Sequence, residues 1–320
     1  MVTETRRIAV IFPGQGSQTI GMMNELAQSF DVVQQTFAEA SDALGFDLWQ
    51  ITADEERLHK TEYTQPALLA SSVAIWRILQ DKFNHHGISP LYLAGHSLGE
   101  YSALVASGVI NLKDAVCLVH ERGKLMTSAV LGMDTQMAAV LGLSDEQVIS
   151  LCESAKETVG IVNPANFNSP GQVVIAGTAL GVSEVLTAVE ALGKKAVLLK
   201  VSVPSHCELM NPASEALAEI LAKTTFNSAK IAVIQNRHAC VHKATSEIKT
   251  ALTEQLSMPV QWAKTMQVLA EKHIDLLIEC GPGNVLSNLA KRQATPILAL
   301  PTDKLARLEK LDEQLGAKHE

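Results

Sequence analysis

The chain has 320 residues, 47% hydrophobic and 19% charged, enough apolar material for one large core or two modest ones in a globular protein. Its 26 Lys+Arg stand against 34 Asp+Glu for a formal net charge of -8, and only 4% of residues are aromatic. Neither a field that gathers polyanions nor a base-stacking surface is present, so nucleic acid is excluded as a main partner.

The basic pair Arg6-Arg7 is followed by an apolar run of five residues, Ile8 to Phe12. This is shorter than the roughly 7–15 residues of a signal-peptide core and reads as a first strand. No window approaches the roughly 18 apolar residues of a membrane span, and no membrane association is expected. Cys117, Cys152, Cys207, Cys240 and Cys280 are odd in number and form no CxxC pair. That suits a reducing cytoplasm, without a disulfide framework or a zinc ribbon. A monomer is expected.

After the first strand, Gly21–Phe30 and Asp31–Leu44 read as helices, and Pro66–Phe83 as a longer helix with Pro in its first turn. LYLAG (91 to 95) is a strand that runs straight into the helix HSLGEYSALVAS. From Met137 the pattern changes. MAAVLGL, VGIVN, QVVIAG and KAVLLKVSV read as strands, SDEQVISLCESAKE and GVSEVLTAVEALG as helices, with a Pro/Asn/Gly loop over Asn163–Gly171. That order is βαββαβ, a ferredoxin-like unit of about seventy residues.

Beyond it, Ala213–Ala222 is helical, IAVIQN a strand, Thr245–Leu256 helical, and IDLLIEC a strand turning through Gly-Pro-Gly into a helix at Val285. Short apolar strands alternating with helices predict an α/β domain with a mostly parallel sheet covered on both faces. The expected division is a core from 1–127 and 204–320, with 128–203 inserted. The tail KLARLEKLDEQLGAKHE is expected to be a frayed helix.

Gly95-His96-Ser97-Leu98-Gly99 is a G-x-S-x-G between a predicted strand and a predicted helix, the setting of a nucleophile elbow. Two glycines permit a sharp turn that raises the Ser97 hydroxyl, and the new helix aims its N-terminal N–H groups at a developing oxyanion. A glycine turn whose serine caps a helix is the bland alternative. Of the ten histidines, His206 is the better base. It follows the break Pro204-Ser205, where the chain re-enters the large domain; a junction histidine satisfied by backbone fits equally well. His96 is expected to point away, His85, His86 and His273 to be solvated, and Cys207 to pack.

In NLKDAVCLVHERGKLMTSAV, Arg122 shares a helix face with Leu118 and Val119 and has no carboxylate at three or four residues on that face. A buried guanidinium needs an anion, so a ligand carboxylate, a tertiary ion pair or snorkelling are all open. Phe12-Pro13-Gly14-Gln15-Gly16-Ser17-Gln18 lacks the third glycine of a dinucleotide fingerprint and the Lys of a P-loop. Its glycines let backbone N–H groups approach a ligand, as in an oxyanion hole, or make a plain turn.

FPGQGSQ (12 to 18), AGHSLGEYSALV (94 to 105), RGKLM (122 to 126), NFNSPGQVVIAG (166 to 177), VPSHCELM (203 to 210), QLSMPVQW (255 to 262) and GPGNVL (281 to 286), in this order, resemble the malonyl-CoA:acyl-carrier-protein transacylase family. The resemblance covers nearly the whole chain. It implies a hydrolase-like α/β core with a ferredoxin-like insert and malonyl transfer from CoA to a carrier for fatty acid synthesis. It further implies Ser97 as nucleophile, His206 as base, backbone N–H groups of Gln15 and Leu98 as oxyanion hole, Arg122 as the malonate carboxylate's ligand, and the Gln255 carbonyl orienting the histidine. CoA thioester and phosphopantetheinyl carrier enter as substrates, with no cofactor and no metal. In many synthase-embedded members the residue before the histidine is Phe in malonyl-selective domains and Ser in methylmalonyl-selective ones. Here it is Ser205. The rivals are a serine hydrolase or thioesterase, with His273 near Asp275 as its late base, a polyketide acyltransferase, and a non-catalytic module binding through the first glycine loop.

Overall fold

A computed structural model describes residues 6–201 and 203–316. Six strands form one sheet in the order β10-β9-β1-β2-β7-β8: β1 (Ile8–Phe12), β2 (Tyr92–Gly95), β7 (Ala232–Gln235), β8 (Cys240–Val241), β9 (Leu276–Glu279) and β10 (Leu298–Pro301). All neighbours are parallel except the β7–β8 pair. Ile8, Val10 and Phe12 of β1 face one buried cluster, and Ala9 and Ile11 the other. A parallel strand packed on both faces is apolar throughout, which is why IAVIF carries no polar alternation.

The second sheet is antiparallel, in the order β4-β5-β3-β6: β3 (Thr135–Leu141), β4 (Val162–Ser169), β5 (Gln172–Thr178) and β6 (Lys195–Leu198). With helices Asp145–Thr158 and Ala179–Ala191 it completes the expected βαββαβ order. It has its own core, including Val140, Val148, Ile175, Val182 and Val185. This sheet is joined to the larger part by main chain: Phe167 N–H donates to Val260 O at 3.0 Å, and Val260 N–H to Ala165 O at 2.9 Å.

Several elements differ from expectation. The loop over Asn163–Gly171 is mostly strand, since β4 runs on to Ser169. β4 is an edge strand with register shifts at Pro164/Asn166 and Phe167/Ser169, a setting that tolerates proline and polar residues. β6 ends at Leu198, short of the expected Val203, and Leu199, Val201 and Val203 line a cleft instead. Ser202 lies outside the described residues.

The long helix begins at Thr61, so Pro66 lies inside it. The carbonyl that Pro66 leaves without a donor is Glu62 O, four residues back, and His120 Nδ1 donates to it at 2.8 Å. Only Asn24–Ala27 of the expected Gly21–Phe30 helix forms. The tail is not frayed: Leu308, Leu311 and Leu315 of helix Leu305–Gly316 are buried, and Lys82 pairs with Asp312. A leucine at every third or fourth position, hidden among charges, makes that apolar face. Residues 317–320 of the tail lie outside the described residues. No helix among the described residues is long and apolar enough to cross a membrane.

Candidate active site

Ser97 sits between β2 and helix Gly99–Ala106 with φ 53, a left-handed backbone that prevents the helix from starting at His96 as expected. The two glycines of the motif have steric reasons. A Cβ on Gly95 would lie 1.9 Å from the Gly99 carbonyl, and one on Gly99 would lie 2.0 Å from Phe12 O. Strand, turn and helix are therefore in backbone contact, and the serine is pushed out at the carboxyl end of the sheet, where open α/β folds place their sites.

His206 comes to this serine from 109 residues away: its Nε2 is 2.7 Å from Ser97 Oγ. The imidazole is held at the end of helix Thr245–Ser257, whose last carbonyls have no partner within the helix. The backbone N–H of His206 donates to Leu256 O at 3.1 Å, and its Nδ1 donates to Gln255 O at 2.7 Å. A carbonyl only accepts, so the proton is on Nδ1 and Nε2 is free to receive the serine proton. Burial, reinforced by the nearby Arg122 charge, pushes the imidazole down to about 3. The histidine is neutral at physiological pH.

Arg122 is 1% exposed. Its two terminal nitrogens donate to amide oxygens, Gln65 Oε1 at 2.8 Å and Gln255 Oε1 at 3.2 Å, and its guanidinium lies over the Tyr101 ring at 5.4 Å. No carboxylate pairs directly with it among the described residues. It lines the same cleft as Ser97, His206, Gln15 and Leu98. The backbone N–H groups of Gln15 and Leu98 make no hydrogen bond among the described residues, as an oxyanion hole requires.

All six site residues expected from sequence are thus brought together. His96 does not point away: it also lines the cleft, with Nε2 2.8 Å from Asn168 Oδ1 and its ring against Trp262. Cys207 packs as expected, its Sγ donating to Pro204 O at 3.0 Å and its thiol pushed by burial up to about 12. The hydrolase rival's His273 is exposed on the surface, with φ 54, and Asp275 accepts from the Arg7 backbone N–H at 3.1 Å.

Three residues escaped sequence reasoning. Gln65, from the long helix, holds Arg122. Asn236 Oδ1 accepts from the Ser97 N–H at 2.6 Å, and its Nδ2 donates to Gly95 O, so one amide spans the elbow. Its place just past a parallel strand's carboxyl end was a usable signal. Glu100 is fully buried behind the elbow, where its Oε2 accepts from Asn236 N–H at 3.0 Å and Gln255 Nε2 at 2.8 Å. In sequence it reads as an ordinary acidic residue in a first helical turn.

A left-handed serine elbow, a histidine nitrogen on its hydroxyl and two backbone N–H groups beside it form the kind of site that carries an acyl group on serine. Residues 10–305 match the family model described as acyl transferase domain. The malonyl CoA-acyl carrier protein transacylase of Escherichia coli (strain K12) is 50% identical over 289 residues, 89% of this chain and 92% of that protein. The crystal structure of FabD from Acinetobacter baumannii superposes with a TM-score of 0.93 at 50% identity, covering 97% of this chain and 98% of that one. A type II PKS acyl-carrier protein in complex with its malonyl-transacylase gives 0.92 at 46%, covering 96% and 99%. The chain belongs to the malonyl CoA-acyl carrier protein transacylase family of acyl transferases.

Proposed function

We propose that this protein transfers malonyl from malonyl-CoA to the phosphopantetheine thiol of an acyl carrier protein, supplying extender units for fatty acid synthesis through a malonyl-Ser97 intermediate. The observation that carries this reading is one cleft holding the 2.7 Å His206–Ser97 contact and a buried cation with no carboxylate paired to it among the described residues.

In the first half-reaction His206 Nε2 takes the Ser97 proton as Oγ attacks the thioester carbonyl. The developing oxyanion is received by the N–H groups of Gln15 and Leu98. Collapse expels CoA thiolate, which takes the proton back from the imidazolium. In the second, His206 removes the carrier thiol's proton, the thiolate attacks the malonyl ester, and Ser97 leaves with that proton. The substrates are the CoA thioester and the carrier thiol, and no metal or redox group enters the scheme. Arg122 receives the malonyl carboxylate through its guanidinium, which a plain acetyl group would leave unpaired.

For carrier docking we assign the exposed residues Lys194, Lys195, Lys291 and Arg292. Support comes from register: Lys195 pairs with Leu141, Leu141 with Gln172, and Arg292 donates to Gln172 Oε1 at 3.1 Å. Lys195 and Arg292 thereby flank one end of the small sheet, and β6 runs from Lys195 toward cleft-lining Leu199, four residues further on. An unchanged Michaelis constant for the carrier after charge reversal would overturn this placement. A cytoplasmic setting is supported by the five free thiols.

The deciding experiment is intact mass after mixing with malonyl-CoA. A malonyl adduct on Ser97, discharged by carrier thiol and absent in Ser97→Ala, is expected. An enzyme that never carries the adduct, or that releases it to water as fast as to thiol, overturns transfer.

A further inference from the structure

Glu100 and Arg122 are opposite charges buried together but not in contact. Both are 1% exposed or less. The Gln255 side chain stands between them, its Oε1 accepting from Arg122 and its Nε2 donating to Glu100 Oε2. Glu100 Oε2 takes two donors, while its other oxygen, Oε1, is buried without a hydrogen-bond partner among the described residues. An ionised carboxylate with one bare oxygen away from water is poorly solvated. Arg122 is the charge facing it that favours ionisation, and burial already raises Glu100 to about 7.

A malonyl carboxylate arriving at Arg122 changes this balance. Without it the buried pair is neutral overall; with it, two anions share one guanidinium that is only 1% exposed. Two carboxylates near one another do not both stay ionised at low dielectric cost. The substrate anion has direct access to Arg122, whereas Glu100 reaches it only through an amide. Glu100 is therefore the one to yield, and its bare Oε1 is where a proton fits without disturbing the two bonds on Oε2.

We propose that Glu100 is a charge-compensating residue for malonyl binding: it takes up one proton from solvent when the substrate carboxylate engages Arg122, and gives it back when the malonyl group leaves. The balance is simple, one H⁺ bound per anion buried, with no bond made or broken elsewhere. The other titratable groups at the site are His206 and His96 on the cleft side and Tyr101 on the helix that carries Glu100. His206 is the competing proton acceptor, because a nearby anion would also raise its proton affinity. The Oε2 contacts to Asn236 and Gln255 persist in either state, so the elbow and the histidine stay in place throughout the cycle.

The inference rests on the malonyl reading, and its test keeps the two apart. Ser97→Ala protein, which cannot be acylated, is titrated with malonyl-CoA by calorimetry at about pH 8 in buffers of different ionisation enthalpy, with acetyl-CoA as the control lacking the carboxylate. Uptake of about half a proton or more per malonyl-CoA beyond that of acetyl-CoA is expected, with Kd rising up to about tenfold per pH unit above the Glu100 value. Adding Glu100→Gln, which retains an acceptor oxygen for both donors, abolishes the uptake and flattens that pH dependence. Equal proton uptake for the two thioesters overturns the proposal, and uptake that survives Glu100→Gln assigns the proton to His206 and overturns it as well. Should the double variant not fold, His206→Ala in the Ser97→Ala background decides in its place: malonyl-specific uptake that persists without the imidazole supports Glu100, and uptake lost with it overturns the proposal. Failure of malonyl-CoA to bind would instead count against the malonyl reading itself.

Discussion

His206 Nε2 stands 2.7 Å from Ser97 Oγ because His206 Nδ1–H is bound to the Gln255 carbonyl. The second contact fixes the ring's tautomer as well as its direction, the task a carboxylate performs in a hydrolase triad. A neutral carbonyl does this without adding negative charge beside the base, so burial and the Arg122 cation hold the imidazole near 3. The imidazole stays neutral over a wide acid range.

This has a pH signature. The rate at which a neutral serine-reactive ester modifies Ser97 is expected to stay flat from about pH 8 to about pH 5, where an ordinary histidine would already have lost tenfold per unit below its usual value. Because folded His206 holds its proton more weakly than the unfolded chain does, its contribution to stability is complete above about pH 6.5 and shrinks as pH falls toward 3. A reactivity profile with its midpoint near 6.5 would contradict the buried, carbonyl-bound ring.

In the proposed reaction Arg122 is the charge that tells malonyl from acetyl, and Arg122→Ala removes it. Loss of malonyl transfer and a drop of about tenfold or more in the malonyl-to-acetyl kcat/KM ratio are expected, from the roughly 1–3 kcal/mol tied to leaving such a group unpaired. Comparing the two thioesters on one preparation checks it. An unchanged ratio would remove Arg122 from the specificity argument.

Gly99→Ala places a methyl 2.0 Å from the Phe12 carbonyl oxygen. Neither partner is a flexible side chain, so strand and helix must separate. A loss of about 3 kcal/mol or more is expected in urea unfolding, together with a large drop in acylation. Wild-type stability would mean that the elbow backbone tolerates a shift its contacts here do not suggest.

Leu311→Ala addresses the C-terminal helix. Leu311 is fully buried, and truncating a leucine in such a place costs about 2–5 kcal/mol. A drop in Tm of several degrees is expected. A frayed tail would leave the melting curve unchanged.

The elements that sequence conveyed well are those whose pattern follows from one strand or one helix. The β1 run IAVIF, the βαββαβ alternation and the G-x-S-x-G turn are local: side-chain period and glycine sterics dictate them wherever the chain goes. The elements misjudged are those decided by neighbours. β4 is strand through Pro164 because it lies at a sheet edge and bonds to Val260 on its other side. The helix around Pro66 survives because His120, from another helix, takes the orphaned Glu62 carbonyl.

The same division runs through the site. Composition, charge and motif spacing determined by themselves that this is an acidic α/β chain with a serine in the setting of a nucleophile elbow, a junction histidine and an arginine on an apolar face. Only the tertiary structure decided that these three meet, that Arg122 has no carboxylate in contact among the described residues, and that Glu100 lies buried one amide away. The reason is physical: a residue's type and period report what its own segment needs. The partner of a buried charge or of a histidine nitrogen is supplied by a different segment, and its distance exists only once both are packed.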